Sequence, residues 1–183
     1  MKLRRALILA AIILAAALIR FWHIGAQSLW FDEGIAWHVA TQPDLASAVV
    51  ADPTNPPLYF LLLFASVRFT GDSEVALRWL SVMIGLLAVP LSFQLARRLF
   101  NPTAGVLAAL LVACSPPLWW ASQEIRMYGL MIALTLVAAL AWHRLLYRRN
   151  ILRLSRRGLV GVWGGRTGAP VNPNPRPPFP PGV

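Results

Sequence analysis

Two adjacent carboxylates, Asp32 and Glu33, are the residues whose types and spacing most clearly suggest chemistry. They end the segment 28–33 (SLWFDE), which follows a long apolar run almost at once. An acidic pair at a membrane surface is costly to hold unless it binds something. The pair therefore indicates chemistry on a membrane-bound substrate rather than a simple anchor.

All seven carboxylates of the chain lie in two gaps between apolar runs. Residues 25–75 contain most of them, and the short gap 122–126 contains Glu124. Simpler interpretations stay open for the pair. Asp32 could cap the helix that follows, since Asp is a favoured N-cap. Glu33 could merely favour the positive end of that helix.

The composition is that of a membrane protein. The chain has 183 residues, of which 57% are hydrophobic and 13% charged, whereas soluble domains have about 25% charged residues. The net charge of +10 suggests nucleic acid at first sight. The arginines flank apolar runs, however, and no basic groove with interleaved aromatics is visible, so we exclude nucleic acid as a partner. The single Cys114 rules out an internal disulfide.

Four apolar runs are long enough to cross a bilayer, which takes about 20 residues per helix. They are residues 6–24, 76–96, 103–121 and 127–147. The run 56–69 is shorter and suits an interfacial helix better. We therefore predict an all-α integral membrane protein. It has four transmembrane helices, short interfacial helices in the first outer loop and a disordered C-terminal tail.

The basic residues indicate the orientation of these spans. If the run 56–69 lies along the surface, most of the 17 basic residues share the side of the N-terminus, and only Arg20, Arg68, Arg78 and Arg126 lie on the other. The positive-inside rule then places the N-terminus and the tail in the cytoplasm, and both acidic loops on the opposite side. We expect the long side chains of Arg20 and Arg78 to reach the membrane surface.

The outer loop, residues 25–75, is predicted to be ordered. Apolar residues at helical spacing predict a helix over residues 31–41, and Pro43-Asp44 begins a second one that runs to about Val50. The segment 52–57 (DPTNPP) predicts a rigid turn, because proline fixes φ. Residues 151–183, in contrast, are rich in glycine, proline and arginine and predict a basic disordered tail.

Three motifs in this order resemble those of the superfamily C (GT-C) membrane glycosyltransferases: residues 28–33 (SLWFDE), 52–59 (DPTNPPLY) and 122–128 (SQEIRMY). The chain looks most like the branch of protein-mannosyltransferase-like, aminoarabinose-transferase-like and lipopolysaccharide-core-transferase-like enzymes. The resemblance covers about residues 1–150. Enzymes of this kind continue through many more spans. The resemblance therefore implies that residues 1–150 form the N-terminal portion of such a domain and have little activity by themselves.

The resemblance implies transfer of a sugar from a polyprenyl-phosphate donor to an acceptor hydroxyl. The reaction would take place at the periplasmic face of a bacterial inner membrane. Such a transfer needs a carboxylate base, a role that the resemblance gives to Asp32, with Glu33 beside it as a second catalytic candidate. We expect the segments 28–33 and 122–126 to meet on this face, close enough to grip one sugar-phosphate. The sequence does not identify the acceptor molecule. The competing interpretation is that the chain is a small multi-spanning membrane protein or subunit without catalytic activity.

The other candidate site residues are expected to bind the substrate. Arg126 suits the phosphate, because its planar guanidinium binds phosphate oxygens in a bidentate way; an arginine that merely pairs with Glu124 is the alternative. Glu124, Tyr128, Asp52 and Asn55 complete the set. Asn55 is neutral where relatives can carry a phosphate- or metal-binding side chain. The sequence does not decide whether a divalent metal is required as a cofactor; Glu33 and Glu124 are the possible ligands.

Overall fold

The computed structural model describes the backbone of residues 2–163 and the side-chain surroundings of residues 3–147. This part of the chain contains eight helices and no strand, which confirms the all-α prediction. The helices are α1 (Lys2–Phe21), α2 (Phe31–Ala40), α3 (Leu45–Ala51), α4 (Pro57–Thr70), α5 (Glu74–Leu99), α6 (Pro102–Cys114), α7 (Pro116–Gln123) and α8 (Tyr128–Trp163).

Two helical segments are long and apolar enough to cross a membrane, namely α5 and residues Tyr128–Tyr147 of α8. Helices α6 and α7 together correspond to the predicted span 103–121, but they are bent by 57° at the break between them. Helix α1 corresponds to the predicted span 6–24 and has 20 residues. It does not qualify as membrane-spanning with the other two segments, because its four basic residues leave it too highly charged. By length and composition the described residues support two or three spans, and the predicted four are not confirmed.

The break between α6 and α7 follows from the two prolines that open α7. Proline has no N–H and holds its predecessor in an extended conformation, as seen at Ser115 with φ −69° and ψ 116°. The last carbonyl groups of α6 therefore lack partners within the helix. The Arg20 guanidinium donates to two of them, the oxygens of Val112 at 3.1 Å and Ala113 at 3.2 Å.

Arg20 is fully buried, so the prediction that it reaches the surface is wrong. The partial negative charge of a helix C-terminus favours a cation at this position. Arg20 also donates to the Ser122 hydroxyl at 3.2 Å. In return, the Gln123 amide donates to the Arg20 carbonyl at 2.9 Å. These bonds attach the end of α1 to the last residues of α7, which begin the acidic segment 122–126.

Helices α2, α3 and α4 form the ordered outer loop that the sequence predicts, and α2 and α4 match the predicted ranges 31–41 and 56–69 to within one residue at each end. Asp44 caps α3, accepting from the Ser47 N–H at 2.8 Å. Apolar side chains join the loop to α5. Burying one such side chain stabilises the fold by about 1.5–3 kcal/mol. The fully buried members of this core include Val39, Tyr59, Leu63, Leu77 and Ile125.

A second core lies between α1, α5 and α6. Its members are small or aliphatic apart from Phe93, and Ala16, Val89 and Ala109 are completely buried. The same helices leave large apolar side chains exposed, among them Leu14 on α1 and Leu111 on α6. Outward-facing leucines of this kind suit contact with lipid tails.

The chain divides into two compact units, Met1–Trp142 and His143–Val183. The described part of the second unit is helical and forms the end of α8, which runs to Trp163. Residues 151–163 are therefore helical where the sequence predicts the start of a disordered tail. The rest of that predicted tail, residues 164–183, lies outside the described residues. All candidate site residues belong to the first unit.

Candidate active site

The start of α2 places Asp32 and Glu33 in different environments. Both lie in the first turn, where the positive end of the helix dipole favours carboxylates. Successive helical residues are rotated by about 100°, so one neighbour can face the core while the other faces out. The Glu33 side chain is 1% exposed and that of Asp32 is 31% exposed. The N-cap is Trp30, without a side-chain capping bond, so the alternative that Asp32 caps the helix is wrong.

Glu33 forms a buried ion pair with Arg78 of α5. The Arg78 Nη2 lies 2.7 Å from Glu33 Oε2, and the Nε donates to Oε1 at 3.2 Å. The Ile125 N–H also donates to Oε1, at 3.1 Å. Both carboxylate oxygens are thus occupied inside the protein. This geometry argues against the predicted role of Glu33 in catalysis and against its use as a metal ligand.

Arg78 is the functional-site residue that the sequence analysis missed. Its Nη1 donates to the carbonyl oxygens of Ile24 at 2.9 Å and Gln27 at 2.7 Å, and it is buried. The prediction that it reaches the membrane surface is therefore wrong. Arg78 instead fixes the chain just before the segment 28–33. The available signal was an ionisable residue within an apolar span, which usually marks a buried partner or a site.

Asp32 forms a second, more open ion pair with Arg126. The Arg126 Nη2 lies 3.3 Å from Asp32 Oδ2, and the Arg126 side chain is 12% exposed. The Nε of Arg126 is buried and has no hydrogen-bond partner among the described residues. Buried donors are nearly always paired in folded proteins, so this N–H beside a carboxylate is available for a further hydrogen bond. The alternative in which Arg126 merely pairs with Glu124 is not what the structure shows.

Glu124 accepts a hydrogen bond from the Trp30 Nε1 at 2.8 Å. Partial burial raises the pKa of Glu124, although the Trp30 bond opposes this by favouring the charged form. With the Asp32–Arg126 pair and the Glu33–Ile125 bond, this is the third contact between the segments 28–33 and 122–126. The structure therefore brings these two segments together, as the sequence predicts.

Tyr128 begins α8 next to this cluster. Its ring stacks on Trp120 of α7, with the centroids 6.1 Å apart and the planes at 24°. The Glu124 N–H donates to the Trp120 carbonyl. The turn that ends α7 therefore holds both the Trp120 ring and the Glu124 carboxylate. Tyr128 thus lies beside the acidic segment, in a stacked position rather than in contact with Asp32.

The proline turn holds Asp52 and Asn55 to each other. The Asn55 Nδ2 donates to Asp52 Oδ2 at 2.8 Å, and the Thr54 N–H donates to Oδ1 at 3.0 Å. Burial disfavours the charge of Asp52, but the hydrogen bonds outweigh it and lower the pKa of Asp52. Asp52 lines a groove of about 580 Å³ together with Trp30 and Phe31. The turn therefore contributes to a groove beside α2 and not to the Asp32–Arg126 pair.

The chemistry open to this cluster follows from its charges. Asp32 is a partly exposed carboxylate that can accept a proton, and Arg126 is a cation with a free donor that can bind an oxyanion. Among the described residues, no group of three His, Cys, Asp or Glu side chains is placed to hold a metal ion. The cluster thus holds a carboxylate and a guanidinium with these capacities, and their Oδ2 and Nη2 atoms lie 3.3 Å apart.

The family described as Dolichyl-phosphate-mannose-protein mannosyltransferase matches residues 54–166, more than half of the chain. The matched range contains Asn55, Glu124, Arg126 and Tyr128, begins after Asp32, and extends past residue 150, where the resemblance was expected to end. Neither a curated protein nor a solved structure matches the chain. This family consists of GT-C membrane glycosyltransferases, in agreement with the apolar helices and the predicted resemblance. The chain belongs to the Dolichyl-phosphate-mannose-protein mannosyltransferase family.

Proposed function

We propose that the chain contributes the reacting groups of an enzyme that transfers a sugar from a polyprenyl-phosphate donor to an acceptor hydroxyl, with Asp32 as the base and Arg126 as the phosphate ligand. The observation that carries this proposal is the open Asp32–Arg126 pair with its free Arg126 Nε. An anionic ligand would satisfy that donor.

The geometry suggests how donor binding prepares the base. The Nε and Nη2 of an arginine lie on one edge of the guanidinium, and that edge binds two oxygens of one phosphate. In Arg126 the Nη2 pairs with Asp32 while the Nε is free. A phosphate that takes both donors would displace Asp32 from Nη2. The carboxylate is then released at the moment when the donor sugar arrives.

The transfer itself balances without a further reactant. The acceptor oxygen attacks the anomeric carbon, the bond from that carbon to the phosphate oxygen breaks, and the polyprenyl phosphate leaves. The hydroxyl proton passes to Asp32. Arg126 stabilises the negative charge that collects on the departing phosphate. Attack from the face opposite the phosphate inverts the anomeric centre.

The neighbouring residues are proposed to position this pair. The buried Glu33–Arg78 pair holds the first turn of α2 and, through the Ile125 N–H, the residue before Arg126. Of the two carboxylates considered for a metal, Glu124 is the one proposed to stay available. Its Oε2 accepts from Trp30 while the rest of the group remains accessible.

The membrane orientation is part of the proposal. The carboxylates lie in the two segments that the outer loops provide, and most basic residues lie in the other connections. The positive-inside rule then supports a cytoplasmic N-terminus and a site on the opposite face, which is the periplasmic face of the bacterial inner membrane that the resemblance implies.

The direct test is transfer of labelled sugar from a polyprenyl-phosphate donor in membranes that contain the chain. Asp32→Asn should lower the transfer rate by about 10²–10⁴-fold, the usual contribution of a positioned base. Arg126→Gln should weaken retention of polyprenyl phosphate by the purified chain. Asp44→Asn is the matched control, since Asp44 is an exposed acid of the same loop that only caps α3.

These results test the proposals. Transfer by Asp32→Asn at the rate of the unchanged chain would exclude Asp32 as the base. Retention of polyprenyl phosphate that depends on Arg126, without any transfer, would agree with an N-terminal portion that has little activity by itself as well as with the competing interpretation of a non-catalytic subunit. Equal retention by the Arg126→Gln chain would exclude Arg126 as the phosphate ligand.

A further inference from the structure

A cavity of about 430 Å³ lies between α1, α5 and α6. Its lining combines two arginines, Arg5 and Arg97, with the apolar residues Ala6, Leu9, Phe93 and Pro102. Arg5 and the buried Arg20 are fifteen positions apart on α1, so the cavity lies roughly 22 Å along the helix from the end that carries the candidate active site. The cavity therefore belongs to the opposite end of the first unit.

The two arginines of this cavity have no carboxylate partner among the residues whose side chains the structure describes. Every Asp and Glu of the chain lies in residues 32–74 or at position 124. Among residues 3–147 the only ion pairs are Glu33–Arg78 and Asp32–Arg126. The positive charge at the cavity is thus matched by nothing that the described residues supply. An anion from outside the chain would complement it.

The cavity wall is set by a close approach of α5 and α6. A Cβ added to Gly105 would lie 2.9 Å from the Phe93 carbonyl oxygen and 3.1 Å from the Arg97 Cβ, so only glycine permits this spacing. The Arg97 guanidinium lies over the Phe93 ring, 5.6 Å from its centroid, a geometry in which the ring attracts the cation. Phe93 and Arg97 are thus presented together to the cavity.

We infer that this cavity binds the phosphodiester headgroup of an anionic phospholipid. Basic pockets between membrane helices are suited to such headgroups. Here Arg5 and Arg97 would bind the phosphate while Leu9 and Phe93 contact the first methylene groups of the tails. The exposed leucines of the same helices, including Leu7 and Leu107, provide apolar surface along which the tails can continue. This site is separate from the proposed sugar donor site and does not depend on it.

The test is a titration of phosphatidylglycerol into the purified chain in neutral detergent micelles, followed by native mass spectrometry. Saturable binding of phosphatidylglycerol is expected, with phosphatidylcholine binding much more weakly. Removing each arginine should weaken binding about 5-fold, and Arg5→Gln with Arg97→Gln about 30-fold, at the usual contribution of a basic residue near an anionic lipid. Inorganic phosphate, which lacks tails, should not compete at millimolar concentration.

The matched control removes two neighbouring charges that do not line the cavity, Arg4→Gln with Arg98→Gln, and should keep the affinity of the unchanged chain. Ala6→Phe fills the cavity without altering charge and should abolish saturable binding, which guards against a misfolded arginine variant. Equal losses in both double variants would overturn the proposal, because they would show a general attraction to basic helix ends. Equal affinity for phosphatidylcholine, or unchanged binding by Ala6→Phe, would also overturn it.

Discussion

Two ion pairs at the start of α2 involve neighbouring carboxylates, yet they differ in burial and in completeness. Glu33 and Arg78 are almost wholly buried, and both Glu33 oxygens have partners. Asp32 and Arg126 are partly exposed, joined by one contact at 3.3 Å, and leave the Arg126 Nε free. The first pair is complete as it stands. The second has unused hydrogen-bonding capacity.

This difference in burial and completeness assigns a structural role to Glu33 and leaves Asp32, its neighbour in the segment 28–33, as the candidate for chemistry. A buried, fully bonded pair has no group to offer a substrate, and its disruption leaves an uncompensated charge in the protein interior. A half-open pair contributes little to stability, but it can exchange one partner for a ligand. The buried pair therefore holds the start of α2, where the open pair is accessible to a ligand.

The largest effect on stability is expected for Arg78→Met. The variant leaves Glu33 buried without its cation, which costs about 3–5 kcal/mol of unfolding free energy. The measurement is reversible unfolding of the purified chain in mixed detergent micelles. Arg68→Met is the matched control, since Arg68 donates to backbone carbonyls of α2 and the following residues without a carboxylate partner. If the two variants lost the same stability, the buried pair would not be the central support.

A smaller loss is expected where the second acidic segment is held against α5. A Cβ on Gly85 would overlap the Ser122 hydroxyl and lie 2.8 Å from the Ser122 Cβ. Gly85→Ala should therefore cost about 1–3 kcal/mol through overpacking, seen as a lower unfolding midpoint. Gly34→Ala offers the opposite case. Space around Gly34 is open, so alanine should stabilise α2 by about 0.5–1 kcal/mol. A neutral Gly85→Ala would show that Ser122 moves freely.

Local patterns were enough to predict the elements of the outer loop. The helical spacing in residues 31–41, the helix start at Pro43-Asp44 and the proline turn each depend on residues close together in the chain. The meeting of the two acidic segments was also predicted, because the topology proposed from the basic residues would place both on one face. The loop elements depend on short-range sequence pattern, and the meeting of the segments was inferred from the pattern of apolar runs and basic residues.

The buried arginines could not be predicted in the same way. A lone arginine in an apolar helix is compatible with a side chain that reaches the surface, and the Glu33–Arg78 pair joins residues 45 positions apart. The break in the third predicted span has a related cause. Hydropathy over residues 103–121 stays high through Pro116, so an apolar run conceals a helix end whose carbonyls Arg20 then caps.

Asp32→Asn should change stability by no more than about 1 kcal/mol, the value typical of an exposed ion pair. The expectation is the counterpart of Arg78→Met, because the open pair should matter for transfer and not for folding. Unfolding of the unchanged chain and the variant under one set of conditions provides the measurement. A loss comparable to that of Arg78→Met would remove the distinction between the two pairs.

The smallest effect concerns the pH dependence of Glu124, whose pKa is raised from 4.5 by partial burial. Because the folded state holds this proton more tightly, the stability it contributes is complete below the unfolded pKa of 4.5 and is lost as the pH rises through the folded pKa. Trp30→Phe removes the donor that favours the charged form, so the pKa should rise further and the loss should extend to higher pH. Unfolding free energies between about pH 4 and 7 would measure this. Glu124→Gln, alone or with Trp30→Phe, should abolish the part of the pH dependence of the unfolding free energy that is due to Glu124. If Trp30→Phe left the pH dependence unchanged, the hydrogen bond from the indole would not affect the pKa of Glu124.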